Sequence, residues 1–256
     1  MKSFCIIVMG MFLQTCFLFS QDSIYVYKSG NIVYTRSVSD VDSITFSRDG
    51  IPTLGLLAWW PFNGNANDMS GNSHNGTVKG ATLTTDRFGK TNSAYNFVKT
   101  NKDYITFDNI IGKFGTSDFT VSMWYIGTLA YGVTKWNEES FSNLWMLGGG
   151  FWICQSTDQS TMFQISPLTT ITKTQWNNLI IQRQSSIYRL YVNGVLDSSY
   201  TPSTNYNITN NNPLVIGAMI APISGPVGCM DGKIDDVGIW NRSLTTQEIK
   251  NVYNSK

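Results

Sequence analysis

Oxygen is concentrated in one short stretch of the chain. From Asn63 to Asn72 the side chains of Asn63, Asn65, Asn67, Asp68, Ser70 and Asn72 all carry it, with Gly64 and Gly71 between them and an aromatic-rich strand that ends at Pro61 and Phe62, AWWPF, just before. A loop of that composition cannot form a core. It can turn tightly and aim carboxylate, carboxamide and backbone oxygens at one point, which is what a hard cation binds; a solvated turn is the other reading of the same residues. A second pair of acids, Asp235 and Asp236, lies in an apolar run near the end of the chain, where strand alternation would place them on opposite faces. The third set is aromatic. Trp and Tyr rings stack on the apolar faces of sugars, so Tyr131, Trp136, Trp145 and Trp152 would make a glycan platform if exposed together; burial in the core is the competing fate of each ring.

These residues need a scaffold, and composition narrows its type. At 256 residues with 42% apolar side chains the chain can fill a sizeable core, while only 14% of its residues are charged. Plentiful Gly, Asn, Ser, Thr and aromatics favour strands joined by turns over long helices. The formal charge of +1 offers no clustered basic surface, so nucleic acid is not an expected partner.

Residues 1–20 read as a signal peptide: Lys2 is followed by an apolar run too short and too close to the start to span a membrane, with the small Ser20 at the cleavage point. The mature chain then begins at Gln21, carries no transmembrane segment and is secreted or held at the cell surface. Cys154 and Cys229 survive cleavage, and a disulfide or two buried thiols are equally consistent with an exported chain.

Residues 21–50 form a small unit. Alternation over Ile24–Tyr27 and Ile32–Tyr34 around Lys28-Ser29-Gly30-Asn31 predicts a β-hairpin, with a further short strand at Ser43–Phe46. This segment resembles the N-terminal parts of secreted proteins from Bacteroidetes-type bacteria. Residues 51–55 read as a linker. Beyond them, strand-like runs recur at Ser93–Phe97, Tyr104–Phe107, Phe119–Ile126, Leu144–Cys154, Trp176–Gln182, Tyr188–Val192, Pro213–Ala218 and Gly232–Trp240, with Asn193-Gly194 as a hairpin turn. Many short strands at such spacing predict a two-sheet antiparallel sandwich. One helix closes the chain, signalled by the capping box of Thr245 and Glu248 and by a staple of Leu244 on Ile249.

Four blocks in order carry a resemblance to a family. WPFNGNAND from Trp60 with Ser70-Gly71-Asn72 and Asn75-Gly76, FTVSMW from Phe119, Trp176 with LYVNG from Leu190, and GKIDDVGIWNRSL from Gly232 are similar to a laminin-G-like domain of the concanavalin A-like lectin/glucanase superfamily. The resemblance covers residues 56–256. It implies an all-β jelly roll of two curved antiparallel sheets, with the short helix at its end. It also implies a structural calcium ion between the polar loop and the last strand, held by Asp68, by Asp235 or Asp236, by Asn63 and by loop carbonyls near Gly71 and His74.

Function within such a family is less uniform than fold. Trp60, Trp124 and Trp176 sit in the matching blocks and read as core, which leaves Tyr131, Trp136, Trp145 and Trp152 as the candidate ligand residues. Relatives that cleave glycosides use paired carboxylates in an arrangement like Glu-x-Asp-x-x-Glu, and here Glu138, Glu139 and Glu248 are the only glutamates and make no such spacing. His74 is the only histidine, which excludes His-rich zinc sites. The reading is a non-catalytic module that binds an extracellular glycan. A protein-protein adhesion module that takes a surface protein and a glycoside hydrolase with an Asp pair are the alternatives.

Overall fold

The computed structural model describes residues 23–41, 47–48, 50–136, 143–154, 162–221 and 223–255. The leader expected at 1–20, the strand expected at Ser43–Phe46 and the pair Glu138 and Glu139 lie outside the described residues. The chain divides into two compact units, Met1–Phe46 and Ser47–Lys256. In the first, Ser23–Lys28 pairs antiparallel with Asn31–Ser37. The hairpin turns through Ser29 and Gly30, both at positive φ, the backbone that matches the twist of paired strands.

The second unit is a sandwich. Among the described residues one sheet runs in the order Val195–Tyr200, Ile187–Val192, Asn177–Gln184, Phe119–Thr128, Asp231–Trp240, Ala94–Phe97, Thr82–Thr84, with Leu56–Trp60 also paired to Asp231–Trp240. The other runs Met162–Ile165, Phe151–Cys154, Leu144–Gly148, Tyr131–Lys135, Val215–Ile216, Tyr104–Thr106, Thr77–Lys79. All these pairings are antiparallel. Alternation explains the packing: Phe119, Val121, Met123 and Tyr125 point into the space between the sheets, where Trp145, Leu147, Phe151 and Ile153 meet them.

The far face of the first sheet is also covered. The helix Thr246–Asn254 lays Ile249 and Val252 on Ile180, Tyr191 and Trp240, together with Ile51. Ile51 and Pro52, read above as linker, are instead a two-residue strand of the unit: Ile51 is buried and the Pro52 carbonyl accepts from Trp240 Nε1 at 2.8 Å. An apolar residue beside an apolar helix face is buried whatever its local turn signals.

Loops are tied by buried cations. Arg183, wholly buried, donates to the carbonyls of Gly115, Ser117 and Tyr206, and Lys135 Nζ donates to those of Asn109 and Asn212 at 2.9 and 2.6 Å. Cys229 is a buried free thiol, which settles its half of the cysteine question, and burial pushes it above the usual thiol range. The capping box forms as the sequence requires: Thr245 Oγ1 accepts from the Glu248 amide while Glu248 accepts from the Thr245 amide. Because the helix shields one sheet face, Thr245→Ala is expected to cost about 1 kcal/mol, read as a lower midpoint in urea unfolding.

Candidate functional site

The site begins with an irregularity in the central strand Asp231–Trp240. Ser122 lies opposite Gly238 but Trp124 lies opposite Asp235, so the strand carries an extra residue there, and Asp236 takes φ +46°. This is a β-bulge, and it resets the alternation. Ile234 and Val237 both enter the core, and Asp235 and Asp236 both turn outward. The expectation that the two aspartates face opposite ways is therefore corrected. Its sign was present in the sequence, because Ile234 and Val237 are three positions apart where a regular strand repeats in two. Flanking strands diverge at the same place: Ala94–Phe97 pairs with Gly232–Ile234 only, and Leu56–Trp60 pairs from Val237 onward.

Arg87 enters through that gap. It stands on a tight turn fixed by Asp86, whose carboxylate accepts from the amides of Phe88 and Lys90, both at 2.8 Å. Its side chain is only 5% exposed. Nη1 donates to Asp235 Oδ2 at 2.8 Å and also to Asp236 Oδ2, while Nη2 donates to the Ser255 carbonyl beyond the helix at 2.8 Å. The guanidinium lies over the rings of Phe88 and Trp124, at 4.4 and 4.6 Å from their centres. Nε is buried without an acceptor.

Two carboxylates on one guanidinium leave a surplus negative charge. Burial, and then the Asp236 carboxylate, push Asp235 up to about 8 against the pull of Arg87. Burial pushes Asp236 up as well. At neutral pH the pair retains a proton, and the three groups together are close to neutral.

Above this bridge opens a cavity of about 220 Å³. Trp59, Pro61, Asn63, Met69 and Ser70 line it from the strand and the polar loop; Asp86, Arg87, Phe88 and Ser93 from the turn; Ile51, Thr53 and Leu56 from the entering chain. Trp59 is half-buried and Phe88 is 55% exposed, so both offer ring surface beside buried oxygens. Trp59, Arg87 and Phe88 were missed as site residues. An aspartate pair in an apolar strand demands a cation, but no local pattern says that the cation is Arg87.

The residues expected around a calcium ion are placed otherwise. Asp68 accepts from the amides of Trp59, Ser70 and His74 at 2.8–3.0 Å and from Ser70 Oγ at 2.8 Å. Asn63 Oδ1 accepts from Lys90 Nζ at 2.7 Å, and the His74 ring meets Asp108 at 2.6 Å. Gly71 lies exposed in the loop at φ +100°, and Asp235 and Asp236 hold Arg87. Among the described residues no three His, Cys, Asp or Glu side chains are grouped to hold a metal. The loop's carboxylate is spent on N–H and O–H donors and a guanidinium stands between the strand's two acids, so this donor set does not fit calcium.

Nor do the aromatics form a row. Trp145 is wholly buried and donates from Nε1 to the Gly112 carbonyl at 3.0 Å; it is core, which corrects its assignment as a ligand residue. Trp145 pairs with Ile153 and Trp152 pairs with Met146, so Trp145 and Trp152 point to opposite sides of their sheet. Tyr131, Trp136 and Trp152 are half-buried, and the Tyr131 ring covers Gly228.

Two outcomes are expected from the bridge. Arg87→Met leaves two buried carboxylates facing each other without their cation and strips the Ser255 carbonyl of its donor; a loss on the order of 3 kcal/mol in urea unfolding is expected, while chelation by EDTA leaves the melting temperature of the unaltered protein where it was. The second concerns pH. A carboxyl whose folded pKa is raised contributes stability that is fully present below the unfolded value, near 4, and lost as pH rises toward the folded value, about 8 for Asp235. Melting temperature should therefore fall from pH 5 to pH 7, and Asp235→Asn, neutral throughout, should flatten that decline.

A family model described as the concanavalin A-like lectin/glucanases superfamily, of laminin-G type, matches residues 99–250. No curated protein matches the chain. Among solved structures, the chain is similar to the binding domain of Paraclostridial Mosquitocidal Protein 1, with TM-score 0.63 and 19% identity over 79% of this chain and 52% of that one. It is similar to Domain 4 of AbnA, a GH43 extracellular arabinanase from Geobacillus stearothermophilus, in complex with arabinotriose, with TM-score 0.60 and 18% identity over 78% and 98%. The botulinum neurotoxin serotype D binding domain follows at TM-score 0.59 and 16% identity over 78% and 52%. The chain thus spans about half the length of both toxin domains and nearly all of the arabinanase domain. At such identities the shared property is the fold, and the matched residues, with the two sheets around them, show that the chain belongs to the concanavalin A-like lectin/glucanases superfamily.

Proposed function

We propose that the Ser47–Lys256 unit is a non-catalytic carbohydrate-recognition module of an exported protein, and that its sugar site is the cavity over the Asp235–Arg87–Asp236 bridge. One observation carries this reading: ring surface from Trp59 and Phe88 stands in the same cavity as the charged side chains of Asp86, Arg87, Asp235 and Asp236. A sugar presents both surfaces. Its C–H face stacks on rings, and its hydroxyls donate to carboxylates while accepting from N–H groups. Calcium has no part in this reading, because Arg87 supplies the positive charge.

The class draws support from the fold, which is that of binding domains and of an arabinanase domain in complex with arabinotriose. Export draws support from the leader expected at residues 1–20. The test is a glycan array probed with the full chain, with and without EDTA. Binding to a defined glycan, unchanged by the chelator and weakened about tenfold or more by Phe88→Ala or Trp59→Ala, is expected. Phe88 is exposed, so its removal leaves the core intact. Silence across the array overturns the carbohydrate reading, and undiminished binding by both variants removes the cavity as its site.

A further inference from the structure

Charge on the cavity lining bears on which glycans can enter. Asp86, Arg87, Asp235 and Asp236 are its charged side chains, three acids against one base. An arginine takes up a carboxylate or a sulfate through two N–H groups side by side, and each such fork of the guanidinium needs Nη1 or Nε. Neither is open to a ligand on Arg87. Nη1 donates to Asp235 Oδ2 and to Asp236 Oδ2, and Nε is sealed from solvent. The positive charge is spent in the same way, on two carboxylates of the protein itself.

Asp86 differs from the other two acids. Its Oδ1 takes both amides that fix the turn, those of Phe88 and Lys90 at 2.8 Å, while its Oδ2 takes no hydrogen bond among the described residues. No ion pair of the described residues includes it. Lys90, on the same turn, is exposed and donates from Nζ to Asn63 Oδ1, so its charge stands in water and is weakly felt. Half-buried on the lining, Asp86 therefore presents an uncompensated charge and an open acceptor. A sugar hydroxyl can donate to it. A carboxylate or a sulfate would face it as a second anion, partly out of water and with no guanidinium fork to receive it, which costs binding.

Resting on the carbohydrate reading above, we infer that this site selects neutral glycans, and that Asp86, the acid left without a cation, turns away sugars that carry a carboxylate or a sulfate. An array that prints neutral glycans beside their uronic-acid and sulfated counterparts tests this with the full chain. Isothermal titration follows with the strongest neutral hit, with its counterpart oxidised at the terminal hydroxymethyl to a carboxylate, and with the counterpart that carries an amino group there. Neutral hits are expected, with the carboxylate form about tenfold weaker or more and the amino form at least as tight as the neutral parent. Asp86→Asn keeps an Oδ1 for the two amides and removes the charge, so it should bring the neutral-to-acidic ratio down to about threefold or less. An acidic counterpart bound as tightly as its parent overturns the inference and leaves carbohydrate binding standing. So does an amino form weakened as much as the acid, since size and not charge would then be read, and so does a ratio unmoved in an Asp86→Asn protein that still unfolds cooperatively in urea. An array without hits fails the carbohydrate reading itself, and the charge preference falls with it.

Discussion

A buried guanidinium held between two carboxylates of one strand is the interaction on which the rest of this face depends. Neither side is stable alone there: Asp235 and Asp236 are 2% and 9% exposed, and Arg87 has little water of its own. The bridge is also a mechanical joint. Through Nη2 it holds the end of the chain, and through the rings of Phe88 and Trp124 it holds the turn that carries it. A single extra residue in a central strand makes this arrangement available, because only the bulge lets adjacent aspartates share a face.

The same economy governs the polar loop. Its oxygens do not wait for a metal: Asn63 accepts from Lys90, and Asp68 alone takes three amides, from the loop itself and from the strand before it, and a hydroxyl. Those charge-assisted hydrogen bonds tie the loop together without a metal. The loop's work is to fix the Leu56–Trp60 strand and, through Asn63 and Gly64, to join the turn that carries Arg87.

Aromatic residues divide by sheet geometry more than by type. Trp60, Trp145 and Trp240 vanish into the two hydrophobic layers, while Trp59, one position from Trp60, is half-buried on the opposite face beside Arg87. The ring most open at the cavity is Phe88, which sits on a turn and not on a strand.

Much of the fold was legible in the chain's local patterns. Alternation through Phe119–Tyr125, the Asn193-Gly194 turn and the Thr245–Glu248 capping box each specify an element by short-range physics, and each element forms. The strands Thr77–Lys79 and Thr82–Thr84 were not legible, because three residues of alternation are no signal and their pairing is decided by neighbours far along the chain. For the site, the sequence by itself determined that Asp235 and Asp236 would need compensation in an apolar strand and that the loop from Asn63 to Asn72 would be closed by its own oxygens or by a cation. Only the tertiary structure decided between these. It brings Arg87 across 148 residues of chain to the bulge, and a contact of that range depends on how two sheets and a helix pack, which no local pattern of residues encodes.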